Sequence, residues 1–429
     1  MKRKLILTAT LLCATLLFPL ALFSQSQDFE MNGTVLVYYH GNAANVTIPA
    51  GVTAIGNQAF DGNKSLTSVT IPTGVSSIGG ASFYGCSNLT SITIPESVTS
   101  IGVQAFSMCS SLTSVTIPSS VTSIGKYAFD GCSSLRRVII PANITSIEDA
   151  AFAGCTDLTS VTIPASVTSI GEGAFSRCSS LTSVTIPSNV TSIRRVAFYN
   201  CTSLTSVIIP SNVTSIEIES GAFEGCTSLT SITIPAGVTS IFAGAFSDCT
   251  GLTNITVDIQ NNRYSSVDGV LFNKNKTLLV TYPAGKQERT YAIPAGVTSI
   301  AGSAFSGCNN LTSVTIPSSV TTIVGGAFRD CTSLTSITIP SSVTSIRNRA
   351  FTGCKNLTDI TIPSSVTYID DEAFSGCSSL TSITIPSSVT TIRNRAFTGC
   401  TNLRTVTVSR RTTIGRDAFP STAQIVYSD

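Results

Sequence analysis

The sequence predicts a solenoid of short stacked coils, and two observations carry that prediction. A phenylalanine returns every 23 residues, at Phe60, Phe83, Phe106, Phe129, Phe152, Phe175 and Phe198; the series continues through Phe223, Phe246, Phe305, Phe328, Phe351, Phe374, Phe397 and Phe419. Each period also carries a short apolar alternation closed by proline, as in Val115-Thr116-Ile117-Pro118. A fixed period of roughly 20–50 residues marks solenoids, propellers and arrays, and this one lies in the range of leucine-rich repeats. The expected fold class is therefore a leucine-rich-repeat solenoid of 23-residue coils, with parallel β strands on a concave face and short turns or 3₁₀ segments on a convex face.

The elements follow in chain order. Residues 1–26 have the pattern of a signal peptide: Lys2, Arg3 and Lys4 make a basic start, Leu5 to Phe23 is almost wholly apolar, and Ser24 and Ser26 are small enough for cleavage. A membrane anchor is the alternative, because the apolar run is nearly long enough to span. Pro19 and the Ser/Gln-rich exit favour cleavage, which leaves a mature chain with no stable membrane insertion. Residues 27–48 are expected to form an N-terminal β cap, 49–257 a first repeat array, 258–293 an atypical hairpin-like repeat, 294–422 a second array, and 423–429 a C-terminal cap strand.

Within a coil, each slot has a physical assignment. Leu112, Val115 and Ile117 alternate with Ser114 and Thr116, so the apolar set faces inward and the hydroxyls face outward. Pro118 ends the strand because it cannot donate to a ladder. Val121 and Ile124 return apolar groups to the core, Gly125 permits a bend, and Ala128-Phe129 closes the coil in a short helical or 3₁₀ turn. One coil cannot bury this face alone; stacked neighbours make a continuous core.

Thirteen cysteines, Cys86 through Cys400, lie three residues after a repeat phenylalanine, with Asn63 in that slot of the first coil. An odd number in one repeated slot predicts a ladder of buried free thiols; paired disulfides and a metal site are the alternatives.

Two places break the period. Phe198 to Phe223 spans two extra residues, placed as a convex-side bulge around Ile216-Glu217-Ile218. Val257 to Ala292 departs altogether, with turn-like Asp268-Gly269 and Asn273 to Lys276 between apolar strands. Thr34-Val-Leu-Val-Tyr-Tyr39 resembles Thr277-Leu-Leu-Val-Thr-Tyr282, so one module occurs twice.

Composition argues against several functions. Only 11% of residues are charged and the net charge is +2, which implies neither nucleic acid nor an anionic membrane as partner. There is one histidine, His40, read as a solvated loop residue, and no phosphate loop, catalytic triad or zinc spacing. The expectation is no enzyme, no catalytic residue, no cofactor and no metal. Arg347-Asn-Arg349, Asp370-Asp-Glu372 and Arg393-Asn-Arg395 lie one coil apart, which predicts an alternating ladder of surface charge or a polar recognition patch.

The candidate binding residues are the outward hydroxyls of the strands: Ser114, Thr116, Ser160, Thr162, Ser183, Thr185, Ser231 and Thr233. They form two uncharged columns, interrupted at Arg137, Ile139 and Ile208. Solubility and the strand preference of threonine are the plainer explanation; a broad adhesive face for an extended protein ligand is the functional one.

The unit Leu-x-x-[Val/Ile]-x-Ile-Pro-x-x-Val-x-x-Ile-Gly-x-x-Ala-Phe-x-x-Cys resembles the BspA-like, or treponemal-type, leucine-rich repeat over roughly residues 45–422. That resemblance implies a secreted or cell-surface protein of a host-associated bacterium. It implies an adhesin whose partner is an extracellular protein such as fibronectin or fibrinogen, or one on a neighbouring cell. A structural cell-envelope scaffold without a host ligand is the alternative. No residue-level binding motif comes with the resemblance.

Overall fold

The structure, a computed structural model, describes residues 27–428. The signal-peptide reading of residues 1–26 lies outside them.

Each regular coil contains two strands, where the sequence pattern gave one. The first is the expected segment, such as Ser114–Thr116, and it pairs in parallel and in register with Ser91–Thr93 of the preceding coil. The second is only two residues long, such as Ser123–Ile124, and pairs in parallel with Ser100–Ile101. A two-residue strand carries no alternation of its own; it exists only because the neighbouring coils supply its hydrogen bonds. Two rows of parallel strands therefore run along the stack, each divided into several hydrogen-bonded sheets.

The Ala-Phe segment is not helical. In the coil of Phe129, the amides alternate between two kinds of acceptor. Ala128, Asp130 and Cys132 donate within the coil, to Gly125, Tyr127 and Phe129 at 3.1–3.2 Å, whereas Tyr127, Phe129 and Gly131 donate to Asp149, Ala151 and Ala153 of the next coil at 2.8–2.9 Å. Tyr127 (φ 59°) and Gly131 (φ 71°) are left-handed, which breaks any helical run into successive turns. The same two slots are left-handed in most coils, and several hold a side chain, among them Ala150, Val196 and Arg177.

Inside the two rows of strands, Leu112, Val115, Ile117, Val121, Ile124, Ala128, Phe129 and Cys132 are all buried. The phenylalanines stack face to face from Phe60 to Phe246, with centroids 4.9–5.7 Å apart and planes within 11° of parallel. The centroid spacing exceeds the roughly 4.8 Å between strands, which is the offset that aromatic quadrupoles prefer. A second stack runs from Tyr282 through Phe305 to Phe419.

The thirteen cysteines are buried free thiols. Twelve donate Sγ–H to the carbonyl of the preceding coil's phenylalanine at 3.0–3.3 Å, and Cys308 reaches Tyr282 at 3.8 Å. The slot thus takes a small side chain that tolerates burial and can still donate. Asn63, which replaces cysteine in the first coil, bonds Gly41 O through Nδ2 at 3.0 Å.

The two extra residues before Phe223 sit within the second row of strands. Glu217 and Ile218 pair with Ser192 and Ile193, and a β-bulge between Ile216 and Glu217 absorbs the excess where the strand meets Val238–Ile241.

At the larger break, Tyr264–Val267 and Val270–Asn273 form an antiparallel hairpin; Leu278–Thr281 adds to it antiparallel and then pairs in parallel with Ser299–Ile300. The chain start is built alike: Phe29–Asn32 is antiparallel to Val35–Tyr39, which is parallel to Ala54–Ile55. Both copies carry a bulge at the matching place, between Glu30 and Met31 and between Leu271 and Phe272. In both a tyrosine fills the phenylalanine slot, Tyr39 at 5.2 Å from Phe60 and Tyr282 at 5.3 Å from Phe305. Buried Asn261 fixes the entry to the internal copy: its Nδ2 donates to Pro235 O and Val238 O, and its Oδ1 accepts from Arg263 N and Tyr264 N. The apolar core divides here into two clusters, one from Phe29 to Ile255 and one from Val270 to Ala418, with the hairpin contributing to both.

Candidate functional site: the hydroxyl face of the first strands

Three hydroxyls recur around each first strand, and they differ in what they do. Thr113, Thr159, Thr182 and Thr205 each donate to the backbone carbonyl one coil back, at 3.0–3.3 Å. Those side chains are part of the scaffold. The next two columns are different. Ser114 and Thr116, Ser160 and Thr162, Ser183 and Thr185, and Ser231 and Thr233 are all exposed. None of their hydroxyls makes a hydrogen bond among the described residues. Strand geometry explains the difference: Ser114 and Thr116 lie two apart on one face of the pleat, pointing away from the buried Val115 between them. Each presents an unused donor and acceptor to solvent or to a ligand.

The eight residues occupy matching slots of their coils, and each pair is in register with a neighbouring strand. Ser160 and Thr162 sit beside Arg137 and Ile139; Ser183 and Thr185 sit beside Ser206 and Ile208; Ser231 and Thr233 sit beside Asn254 and Thr256. The surface they make is open. The described depressions are shallow, such as one of about 270 Å³ over Asp359–Thr361 and Ser382–Thr384. Among the described residues no group of His, Cys, Asp and Glu could hold a metal ion. His40 is exposed, with Nε2 3.1 Å from Glu30 Oε2. An open, hydroxyl-rich face suits many weak polar contacts with a macromolecule better than enclosure of a small molecule.

The turn edge is where charge collects. Arg349 pairs with Glu372 at 2.9 Å, and Arg393 lies 3.5 Å from Asp371 and 4.0 Å from Asp370. A second ladder, not singled out from the sequence, joins Lys126 to Asp149 at 2.8 Å, Arg195 to Glu172 at 3.1 Å and Arg194 to Glu219 at 3.9 Å. The hydrogen bond between Lys126 and Asp149 raises the lysine pKa and lowers that of the carboxylate. Arg329 makes the longest-range pairing, reaching Glu224 at 2.9 Å and Asp248 at 2.5 Å across the internal break. Ser306 completes that cluster by donating to Asp248 Oδ1 at 2.9 Å. Strict periodicity could have found the first-half ladder, whose members are also one coil apart; it could not have found a contact over 105 residues.

Comparison with known proteins places this geometry. The pattern of the BspA type leucine rich repeat region matches in six copies, over residues 36–159, 145–278 and 289–426. No curated protein matches the chain. Among solved structures, it is similar to a leucine rich cell surface protein of Faecalibacterium prausnitzii, at 36% identity and a TM-score of 0.59, over 89% of this chain and 92% of that one. It is also similar to a leucine-rich repeat protein of Bacteroides ovatus, at 29% identity and a TM-score of 0.55, over 93% of this chain and 97% of that one. The pneumococcal vaccine antigen PcpA shares the fold, at 22% identity and a TM-score of 0.57, over 93% and 90% of the two chains. No helix of the described residues is long and apolar enough to cross a membrane. With its repeat matched over most of its length, and with similar solved structures that include a bacterial cell-surface protein, the chain belongs to the BspA-type leucine-rich repeat family.

Proposed function

We propose that the protein is a secreted or surface-exposed adhesin of a host-associated bacterium, non-enzymatic, binding an extracellular protein through the hydroxyl face of its first strands. The observation that carries this reading is the contrast between neighbouring columns: the Thr113 column spends its hydroxyls on the scaffold, whereas Ser114, Thr116 and their equivalents keep theirs free over a long exposed surface. Similarity to a bacterial cell-surface protein supports the location. Fibronectin and fibrinogen are the first partners to test, as the family resemblance implies. Surface plasmon resonance of the protein over each, at physiological salt, should give saturable binding. Thr162→Lys, Thr185→Lys and Thr233→Lys together should weaken it, because ammonium groups would occupy three rungs of the face. Unchanged affinity in that variant would move the contact elsewhere on the molecule.

A cell-envelope scaffold is the second reading. The observation that favours it is the exposed apolar group at the turn edge of neighbouring coils, Tyr84, Val103, Met108 and Tyr127, which suits lateral packing. Absence of any soluble partner, with the protein retained in isolated envelopes, would decide for it.

A further inference from the structure

The hydroxyl columns are uniform enough for their exceptions to stand out. From the coil of Ser68 to that of Asn254, the outer slot is threonine except at Ile139 and Ile208, and the inner slot is serine except at Arg137 and Asn254. Arg136 replaces threonine in the adjoining column. Ile139 is 65% exposed and Ile208 54%. Neither isoleucine is needed to make a strand there, since threonine has a similar preference and occupies the same slot in the neighbouring coils. Both arginines are exposed, and neither forms an ion pair among the described residues, in contrast to the paired arginines of the turn edge. No aspartate or glutamate lies in the three columns over these coils. One end of the patch is therefore an uncompensated positive site beside an exposed apolar side chain, and the other end is a second apolar side chain.

The spacing says what could cover both. Ile139 is in register with Thr162, and Thr185 with Ile208; Thr162 and Thr185 occupy the same slot of successive 23-residue coils without a hydrogen-bonded pairing between their strands, so the two isoleucines lie three coil steps apart. At about 4.8 Å per step that is roughly 14–15 Å. An extended chain advances about 3.4 Å per residue and presents alternate side chains on one face, so residues i and i+4 lie about 13.6 Å apart. A helix rising 1.5 Å per residue covers that distance in about nine or ten residues, by which point the side chain has turned away from the face.

We infer that Arg136, Arg137, Ile139 and Ile208 set the specificity of the strand face for an extended protein segment lying along the solenoid axis. That segment carries apolar residues four apart over the two isoleucines and an aspartate or glutamate over the arginines. This rests on the strand-face reading above and narrows its partner to one chemistry. The neighbouring hydroxyls supply the polar contacts between the two apolar anchors, and the carboxylate fixes the direction in which the segment runs.

The test is selection of a random twelve-residue peptide display library on the full protein at physiological salt. The comparison protein carries Arg136→Thr, Arg137→Ser, Ile139→Thr and Ile208→Thr. Those four changes only make two coils match their neighbours, so the variant should melt like the wild type. The expected result is enrichment of peptides with an acidic residue and two apolar residues four apart, whose affinity falls at least tenfold on the variant. Peptides that bind both proteins equally, but are lost in the Thr162→Lys, Thr185→Lys, Thr233→Lys protein, would overturn the inference and leave the strand face standing. Peptides indifferent to both sets of changes would remove both readings. Failure to enrich any peptide on the wild type over the variant would also overturn the inference.

Discussion

The cysteine ladder makes the protein's stability depend on pH in a way that one residue can report. Cys178 is buried and donates to Phe152 O at 3.2 Å. Burial pushes its pKa up from 9.0 to about 12, against a smaller opposing effect of the Cys155 backbone. The unfolded chain releases this proton near pH 9, while the native state keeps it until about pH 12. Its contribution to stability is therefore complete below pH 9 and is lost progressively between pH 9 and 12. At pH 10 the loss amounts to about 1.4 kcal/mol for this one thiol. Removing the thiol removes the linkage. At pH 7, Cys178→Ala should be less stable than wild type by about 1–2 kcal/mol, through the lost donor and the lost buried sulfur. At pH 10 that gap should shrink by about 1.4 kcal/mol, to near zero.

The assay is urea unfolding followed by far-ultraviolet circular dichroism, under reducing conditions, at both pH values. A gap of the same size at pH 7 and pH 10 would refute the reasoning, because it would mean that the native and unfolded thiols ionise alike. Eleven of the thirteen thiols are shifted upward, ten chiefly by burial and Cys377 chiefly by its hydrogen bond with Cys400 and then by burial. The direction is the same in all eleven, so the stability they share is complete below the ordinary thiol pKa and is lost as the pH rises above it. The wild-type urea midpoint should therefore fall between pH 7 and pH 10.

Four other outcomes follow from the same packing. Ellman's reagent at pH 8 should find no reactive thiol in the native protein and all thirteen of residues 27–429 after denaturation without reductant; a count near zero in the denatured sample would mean disulfides. Phe175→Ala, which cuts a stack at 5.5 Å from Phe152 and 5.4 Å from Phe198, should cost about 3–5 kcal/mol in urea unfolding, whereas Lys126→Ala at the exposed edge should leave the midpoint in place. Arg177→Gly should stabilise by about 1 kcal/mol, because exposed Arg177 holds φ 61° in a slot where Gly131 and Gly154 sit without strain; a lower midpoint would mean that its side chain has an undetected partner. Arg329→Ala should cost on the order of 2 kcal/mol by leaving Glu224 and Asp248 facing each other, and the cost should shrink in high salt.

What the sequence revealed depended on whether a feature was local to one coil. The inward set of Val115, Ile117, Val121, Ile124 and Phe129 was legible because alternation and period are properties of the chain itself. The second strand was not, because Ser123–Ile124 has two residues and owes its identity to Ser100–Ile101 one coil away. The turn before Phe129 looked helical from its composition, but left-handed Tyr127 cannot be anticipated from a residue type that ordinarily avoids that region. The extra residues near Ile216 were visible as a count, while their place in the second row of strands required knowing that this row exists. Among the site residues, exposure of Ser114 and Thr116 followed from strand alternation. The division of labour between Thr113 and Thr116 did not, since both are threonines and only the geometry shows which hydroxyl the scaffold has used.

In a chain this repetitive, the consensus residues explain why the coils stack, and the departures from consensus are where one coil can differ from another in function. The departures sort by position. At the turn edge several are charges that pair with the next coil, beside the exposed apolar group of Tyr84, Val103, Met108 and Tyr127. At the internal break they include a repeated cap and an arginine that reaches over it, which are answered internally. On the strand face, Arg137, Ile139 and Ile208 have no internal answer: the arginine has no counter-ion among the described residues and the isoleucines have no cover. Exposed isoleucine and unpaired arginine contribute nothing to a fold that serine and threonine build equally well in the adjacent coils. Interface hot spots are enriched in arginine and sit where apolar groups become desolvated, which is the physical reason to test this part of the strand face for a partner.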